Sequence, residues 1–293
     1  MLEKDKVIDF VRNALKEDIG RIDLTTAFLI PSELRVKADI ISGSSGILAG
    51  ISFIEIVYGI LDSGVRIKFN SKDGDSVEPG KAIAYLEGPA ASILKGERVA
   101  LNLLSRSSGI ATLTKKFVDK VKKYSVDIMD TRKTTPNMRY IERYAVRAGG
   151  GKNHRFGLFD QVLIKDNHLT ALRALKPNLK GASVIKDSVQ TAKKRVQKNV
   201  KIEIEVRTIA ELEEALSAGA DIIMLDNMSP EKIGEAVKIR NAGDAKGRQI
   251  KLEASGGINL DNAEEYAKTG IERISIGALT HSAPALDFSL DVI

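Results

Sequence analysis

The spacing of apolar and polar positions changes along the chain and divides it into two parts. Over residues 3–17 apolar side chains recur at helical spacing, which predicts an amphipathic helix. Residues 17–26 are polar and indicate a loop. Residues 35–87 contain short alternating apolar runs separated by Gly and Pro turn signals. They predict a small sheet, with one short helix at 53–61.

The later part of the chain alternates between strand-like and helix-like segments. Residues 90–123 indicate one or two helices, and from residue 126 apolar runs and helical periodicity take turns. Alternation of this kind predicts a parallel sheet with helices outside it. The predicted strands are 126–131, 161–166, 201–207, 221–226, 251–255 and 273–277, with Ala182–Ile185 as a candidate seventh. The predicted helices are 112–124, 137–147, 183–198, 208–219, 229–241 and 260–270. Six or seven strands are fewer than the eight of a closed α/β barrel.

Composition narrows the class of protein. The 293 residues suit one large or two ordinary domains, and 43% hydrophobic content supports a core. No run of uncharged apolar residues is long enough to span a membrane, and the charged N-terminus has no signal-peptide core. The chain has no cysteine, which excludes disulfides, thiolate metal sites and cysteine nucleophiles. These features lead us to expect a cytoplasmic protein.

Charge and aromatic content bear on the ligands. The net charge of +6 is modest and suits anionic ligands. Aromatic residues make up 5% of the chain and Trp is absent, so the stacking platforms used for nucleic acid are not expected.

Charged residues are concentrated between Asp130 and His168, a stretch that contains eight Lys or Arg residues and four acidic residues. Two apolar strands in this stretch end in charge, the first at Arg132-Lys133 and the second at Lys165. Charge at the point where a strand stops is how an α/β barrel builds its site. Arg and Lys bind carboxylate or phosphate through strong charge-assisted hydrogen bonds. The alternative is a solvated charged surface, but these charges interrupt apolar strands, which favours an anion site.

Other strand ends carry carboxylates and small residues. Glu205 and Asp226 lie at neighbouring strand ends, and such oxygen ligands suit Mg²⁺; the alternative is that each pairs with a lysine. Glu203 shares the face of Glu205 but lies two residues deeper. Small residues follow the next two strands: Ser255, Gly256 and Gly257 after one, and Gly277 and Ala278 after the other. Backbone N–H groups at such turns can bind phosphate oxygens, which predicts a phosphate cradle.

The three histidines, His154, His168 and His281, are not spaced as metal ligands. His154 stands beside Arg155, and together they are suited to clamp a carboxylate. His168 is expected to order the loop after its strand.

These motifs resemble the quinolinate phosphoribosyltransferase family, also called carboxylating nicotinate-nucleotide pyrophosphorylases. The resemblance is carried by TRKTTP (131–136), YAVRAGGGKNHRFGL (144–158) and LIKDNH (163–168), with further matches along nearly the whole chain. Asn137 stands where the family usually has glycine. Asn tolerates left-handed backbone, so we expect the turn to be kept.

The resemblance implies a fold and a reaction. The fold is an incomplete α/β barrel at 111–280, with an N-terminal α/β sandwich domain at 1–110 that includes 281–293. The reaction is transfer of the 5-phosphoribosyl group from phosphoribosyl pyrophosphate to quinolinate with decarboxylation. It gives nicotinate mononucleotide, CO₂ and pyrophosphate, in NAD biosynthesis. The resemblance further implies Mg²⁺ as cofactor and a homodimer or higher homo-oligomer with shared active sites.

The resemblance also implies residue roles. The catalytic set is Lys133, Lys165, Glu205 and Asp226, and the last two are the metal ligands. The substrate carboxylates are held by Arg98, Arg132, His154, Arg155 and Lys165, with Arg98 reaching across a subunit interface. The ribosyl phosphates lie near Lys133 and Lys165, and the other substrate-binding residues are Thr131, Glu205, Asp226, Ser255, Gly256, Gly257, Gly277 and Ala278.

Three other functions remain open on the residues alone. Lys165 at a strand end could form an imine, as in a Schiff-base aldolase, although the surrounding arginines exceed what a neutral carbonyl needs. A related phosphoribosyltransferase could act on another pyridine. A non-catalytic protein of the same fold could bind anions only.

Overall fold

The computed structural model describes residues 4–175, 183–243 and 250–293 and arranges them as two compact units. The described residues of the first unit fall within Met1–Lys116, Lys133–Gly151 and Ala278–Ile293; those of the second fall within Phe117–Arg132 and Lys152–Gly277. The described helices are too short or too polar to cross a membrane.

The elements follow the alternation expected from the sequence. In chain order the helices are α1 (Lys4–Ile19), α2 (Leu24–Leu29), α3 (Ile51–Leu61), α4 (Ala90–Val121), α5 (Arg139–Ala148), α6 (Asp166–Leu175), α7 (Ser183–Arg195), α8 (Ile209–Ala218), α9 (Pro230–Gly243), α10 (Ala263–Ala267) and α11 (Ala278–His281). The strands are β1 (Arg35–Ser42), β2 (Gly46–Ile47), β3 (Arg66–Phe69), β4 (Ser76–Val77), β5 (Ala82–Pro89), β6 (Asp127–Met129), β7 (Val162–Ile164), β8 (Ile202–Val206), β9 (Ile222–Asp226), β10 (Lys251–Ser255), β11 (Arg273–Ser275) and β12 (Phe288–Val292).

The first unit is built on a four-stranded antiparallel sheet in the order β12-β1-β5-β3. On β1, Ala38, Ile40 and Ser42 are buried while their neighbours are more exposed, as expected for alternate faces of a strand. The core of this unit combines Ala38 and Ile40 with apolar residues of α1, α3 and α4. Because Ile40 pairs with Leu290 on β12, the end of the chain completes this sheet. The predicted domain limits, 1–110 with 281–293 and 111–280, stay a prediction.

The loop predicted at 17–26 is wrong in part. The chain is helical to Ile19, and a second short helix, α2, begins at Leu24. Asp23 caps it, since its Oδ1 accepts a hydrogen bond from the Thr26 N–H at 3.0 Å.

The second unit contains a six-stranded parallel sheet in the order β6-β11-β10-β9-β8-β7. Strands consecutive in the chain are neighbours, except that β6 and β7 lie at opposite edges. This is the order of a barrel left open between its first two strands, and it confirms the predicted incomplete α/β barrel. All six predicted strands are present. The seventh is wrong, because residues 183–185 begin α7, while Ala182 lies outside the described residues.

The glycine run 149–151 serves close packing. A Cβ on Gly149 would lie 2.8 Å from the Thr114 Cβ, and one on Gly151 would lie 2.7 Å from the Thr114 Cγ2. Gly150 has a φ of 88°, which favours glycine. These residues therefore allow the end of α5 to lie against α4.

Candidate active site

The carboxyl ends of the parallel strands carry several charged groups. Thr131 and Arg132 follow β6, Lys165 follows β7, Arg207 follows β8, and Asp226 ends β9. The carboxyl ends of parallel strands all lie at the same end of the barrel, and α/β barrels have their active sites at this end.

Lys165 and Glu205 meet at the ends of two neighbouring strands. The Lys165 ammonium donates a hydrogen bond to the Glu205 Oε1 and forms an ion pair with it. Nδ1 of His168 accepts a hydrogen bond from the Lys165 N–H at 2.9 Å. This bond orders the turn that carries Lys165, as expected for His168. The sequence left open a lysine partner for Glu205, and the structure shows that pair.

Arg132 and Arg155 place two positive charges close together. Arg155 is buried, and its Nη1 donates to the Gln161 carbonyl oxygen at 3.0 Å. Burial lowers the pKa of Arg155 below its usual value, and the nearby Arg132 guanidinium lowers it further. Negative charge on Glu203, Asp160 and Glu205 opposes both effects. Arg155 therefore lies among both positive and negative side chains.

Asp130 holds the segment that carries His154 and Arg155. It is fully buried at the end of β6. Its Oδ1 accepts from the His154 N–H at 2.7 Å, and its Oδ2 accepts from the Asn153 side-chain amide at 2.6 Å. The Arg155 N–H in turn donates to the His154 Nδ1 at 2.7 Å. These bonds fix the backbone from which the Arg155 side chain extends.

The His154 ring lies against two buried carboxylates inside the sheet. Nε2 of His154 lies 3.2 Å from an oxygen of Glu203 and 3.2 Å from one of Glu253, and both glutamates are fully buried. Arg273 pairs with Glu253 at 3.5 Å, and the Ser275 hydroxyl donates to Glu253. We call His154, Glu203, Glu253, Arg273 and Ser275 the interior cluster. Its geometry places the His154 imidazole inward, so the carboxylate clamp assigned to His154 stays a prediction.

The interior cluster changes the protonation of its members. Burial alone would lower the pKa of His154, but hydrogen bonds to Glu203 and Glu253 outweigh it and raise the pKa to about 10. Burial raises the pKa of Glu203, the negative charge of Glu253 raises it further, and His154 opposes both. The two carboxylates therefore favour the protonated His154 ring, and a proton at Nδ1 would replace the hydrogen bond that Nδ1 accepts from the Arg155 N–H.

We expect ¹⁵N NMR of the His154 imidazole to show a protonated ring at pH 8, with a midpoint well above the 6.5 of an unfolded chain. Because the folded-state pKa is raised, protonation stabilises the fold fully below pH 6.5, and this contribution is lost as the pH rises through about 10. The variant Glu253→Gln should lower the midpoint. A wild-type midpoint at or below 6.5 would contradict this assignment.

Asp226 is paired with an arginine that the sequence analysis missed. Nε of Arg207 lies 3.2 Å from the Asp226 Oδ2, and its Nη2 lies 3.0 Å from the Asp166 Oδ2. Arg207 directly follows the apolar strand β8, so the strand-end charge that indicated Lys165 also indicates this residue. Glu253 and Arg273 gave no such signal, because each lies within a strand or at its start.

The turn after β10 contains two consecutive glycines in the left-handed region. Gly256 and Gly257 have φ angles of 96° and 67°, which favour glycine. A Cβ on Gly256 would also collide with the Asn227 side chain. Ser255 pairs in register with Asp226. Phosphate binding by this turn and by Gly277 stays a prediction.

Three predicted site residues belong to the first unit. Lys133 is exposed in the loop after Arg132, and Ala278 begins α11. The Arg98 side chain is 62% exposed on α4, and its Nη2 lies 3.8 Å from the Glu97 Oε1. This weak pairing leaves the Arg98 guanidinium accessible from solvent.

The carboxylates differ in their suitability for a metal. Among the described residues, His154, Glu203 and Glu253 offer ligand atoms within 4.8 Å of one another. These side chains are buried, whereas Mg²⁺ usually keeps several waters, so we assign no metal there. Glu205 and Asp226 lie on adjacent strands and face the same side, since Glu205 pairs in register with Met224, two residues before Asp226. Their oxygens suit Mg²⁺.

An open parallel α/β barrel with cations and carboxylates at the carboxyl ends of its strands is the arrangement of an enzyme that binds polyanions. The chain matches the Quinolinate phosphoribosyl transferase N-terminal domain over residues 23–108 and the C-terminal domain over 110–291. The chain therefore belongs to the quinolinate phosphoribosyltransferase family.

Relatives agree along nearly the whole length. A probable carboxylating nicotinate-nucleotide pyrophosphorylase of Bacillus subtilis is 44% identical, over 94% of this chain and 90% of the relative. Another, of Methanocaldococcus jannaschii, is 41% identical over 99% and 98%. The solved nicotinate-nucleotide pyrophosphorylase of Francisella tularensis superposes with a TM-score of 0.88 at 38% identity, covering 100% of this chain and 98% of that one.

Proposed function

We propose that the protein transfers the 5-phosphoribosyl group of phosphoribosyl pyrophosphate to quinolinate and releases CO₂. The products are nicotinate mononucleotide, CO₂ and pyrophosphate, which makes it a pentosyltransferase of NAD biosynthesis, EC 2.4.2.19. The observation that carries this proposal is the set of cations at the carboxyl ends of the strands, among them Arg132 and Lys165, in a chain that matches both domains of this family. Quinolinate is a dicarboxylate, and the donor carries phosphates, so both substrates suit a cationic site.

The substrate contacts follow from the strand ends. Arg132, Arg155 and Lys165 bind the quinolinate carboxylates, with His154 positioned behind them by the interior cluster. Lys133 binds a phosphate of the donor. The backbone N–H groups of the turns at Ser255, Gly256 and Gly257 and at Gly277 and Ala278 bind further phosphate oxygens.

The chemistry needs no covalent nucleophile. The lone pair of the pyridine nitrogen forms the bond to the ribose C1, and the bond from C1 to pyrophosphate breaks. The transition state is oxocarbenium-like, and Glu205 or Asp226 lies near the positive charge that develops on the ribose. The bond to the 2-carboxylate then breaks and releases CO₂. The pyridinium stabilises the electron pair left on the ring, which a proton takes up.

Glu205 and Asp226 would hold a Mg²⁺ ion, because carboxylate oxygens at strand ends suit a cation that keeps several waters. When bound, the ion would neutralise the leaving pyrophosphate. Lys165 and Arg207 hold these carboxylates in place by ion pairs.

We further propose a homodimer or higher homo-oligomer in the cytoplasm, in which Arg98 completes the quinolinate site of a partner copy. Its high exposure and weak pairing support this role. Sedimentation of the purified protein tests the assembly, and a monomer at assay concentration would contradict it.

The function is tested by incubating the protein with labelled quinolinate, phosphoribosyl pyrophosphate and Mg²⁺. Labelled CO₂ and nicotinate mononucleotide should form together, and a chelator should stop both. Product from nicotinate instead would indicate a related phosphoribosyltransferase. Tight quinolinate binding with no CO₂ would indicate an anion-binding protein.

Replacing Arg132 with alanine is expected to lower quinolinate turnover at least about tenfold, because a charged hydrogen bond contributes about 1.5–3 kcal/mol. The fold should persist, since Arg132 lies outside the strands, beyond the end of β6. Steady-state kinetics checks this, and the matched control is Arg195→Ala, an arginine exposed in the last turn of α7. Unchanged turnover in Arg132→Ala would remove this residue from the site.

A further inference from the structure

Glu142 is a fully buried acid on α5 that the proposed chemistry does not use. Arg106 of α4 donates two hydrogen bonds to its Oε1, from Nη2 at 2.7 Å and from Nε at 3.2 Å. Because the Arg106 side chain is only partly exposed, this is an ion pair largely withdrawn from water. A buried carboxylate of this kind needs its full set of hydrogen bonds.

The remaining bonds to Glu142 come from the loop that carries Lys133. The Thr135 hydroxyl donates to the Glu142 Oε1 at 2.8 Å, and the Thr135 N–H donates to its Oε2 at 3.1 Å. Thr135 is itself exposed. Half of the hydrogen bonds to the Glu142 carboxylate therefore come from an exposed loop. An ion pair that served only to join α4 and α5 would not need the bonds from this loop.

Thr135 also opens the turn of this loop. The Met138 N–H donates to the Thr135 carbonyl oxygen at 3.1 Å, and Asn137 has a φ of 65°. With Pro136 at the second position, this is the arrangement of a type II turn. The left-handed asparagine confirms that the turn is kept where the family usually has glycine. Glu142 thus anchors the turn at its first residue.

A second set of bonds starts from Arg106 and reaches the backbone of Lys133. Arg106 donates from Nη1 to the Ala283 carbonyl oxygen at 3.1 Å and from Nη2 to the Thr280 carbonyl oxygen. The hydroxyl of Thr280, a fully buried residue, donates to the Lys133 carbonyl oxygen at 2.7 Å. The loop is therefore held at both Lys133 and Thr135, from one guanidinium–carboxylate pair.

We propose that Arg106 and Glu142 are positioning residues, which hold the loop 133–137 in one path and thereby aim Lys133 at the phosphate-bearing substrate. The inference rests on the proposed function for the identity of that substrate. The pair itself touches no substrate. The pair acts through Thr135 and Thr280. This role explains why a buried ion pair lies beside an exposed loop.

The test compares Glu142→Gln with a matched variant, Glu272→Gln. Glu272 also pairs with a buried arginine, Arg240, at 2.7 Å, and that arginine also donates to a backbone carbonyl oxygen. Glu272 directly precedes β11, at the amino end of the sheet, away from the carboxyl ends that form the site. Glu142→Gln should lower kcat/KM for phosphoribosyl pyrophosphate by about tenfold to a hundredfold, with the Kd for quinolinate unchanged. Glu272→Gln should leave both values unchanged.

The decisive measurement is a double-mutant cycle with Lys133→Ala. If the pair acts through Lys133, Glu142→Gln should have little further effect on kcat/KM in the Lys133→Ala background. Full additivity of the two losses would overturn the proposal. So would unchanged donor kinetics in Glu142→Gln.

A second variant and a second measurement complete the test. If Glu142→Gln does not fold, Thr280→Val keeps the ion pair and removes only the bond to Lys133, and it should show the same selective loss. Hydrogen exchange of the amides at 133–138 should rise in either variant and stay unchanged in Glu272→Gln. Hydrogen exchange does not depend on enzymatic turnover. If the wild-type protein formed no nucleotide, the proposed function would be refuted, but hydrogen exchange would still test whether Arg106 and Glu142 hold the loop. Unchanged exchange would overturn the positioning role.

Discussion

Replacing Arg273 with methionine is expected to lower the free energy of unfolding by about 3–5 kcal/mol, the loss typical of breaking a buried ion pair from one side. Arg273 faces Glu253, which is fully buried and also close to His154. Without the guanidinium, two buried carboxylates share the single positive charge of His154. Urea unfolding followed by circular dichroism at pH 7 measures the change.

The control for this prediction is an arginine in an ion pair that is exposed to solvent. Arg12 lies 3.6 Å from Asp9 on α1, and both side chains are mostly exposed, so Arg12→Met should change stability by less than about 1 kcal/mol. A second arm combines Arg273→Met with Glu253→Met, which removes both charges and should recover part of the loss. Equal effects of Arg273→Met and Arg12→Met would show that the interior cluster adds no stability.

The carboxyl edge of the barrel could be predicted from the sequence because its signal is local. Each apolar run stops at a charge or a small residue, as at Arg132, Lys165 and Gly256, and parallel strands bring these stops to one edge. Asn137 was likewise predictable, since one residue type and one turn determine its left-handed backbone.

The interior cluster could not be predicted because its partners are distant in the chain. Alternation places Glu203 and Glu253 on the inner face of their strands, but no local pattern pairs either with His154. The Arg106–Glu142 pair has the same difficulty. Its two residues lie on different helices and meet only through the packing of the first unit.

Two of the secondary-structure predictions were wrong because the segments are too short to show a helical or strand periodicity of apolar residues. Residues 24–29 form a single capped helix in which only Thr26 is buried, so no apolar stripe marks it. Val184 and Ile185 resemble a strand, yet Ser188 and Val189 are buried with them at helical spacing in α7. A short apolar run fits a strand and a buried helix equally well.

Replacing Lys165 with methionine is expected to lower kcat/KM for quinolinate by about 100-fold to 1000-fold, the effect typical of removing one fixed charge or donor from a reacting group. Lys165 is the cation at the end of β7, and its ion pair with Glu205 fixes its position. Methionine keeps the unbranched stem of the side chain and removes the ammonium group, with its charge and its hydrogen-bond donors. Thermal unfolding should remain cooperative, and steady-state kinetics with both substrates varied measures the loss.

The Lys165→Arg variant separates charge from covalent chemistry. If Lys165 acts as a cation, arginine should retain more activity than methionine, because it also binds carboxylate and phosphate. If Lys165 forms an imine, arginine should be as inactive as methionine, and borohydride with substrate should label the wild-type chain at Lys165. The ion pair with Glu205 favours the first outcome, because it already uses Lys165 as a cation. Borohydride labelling that is lost in Lys165→Arg would overturn the electrostatic role and restore the aldolase alternative.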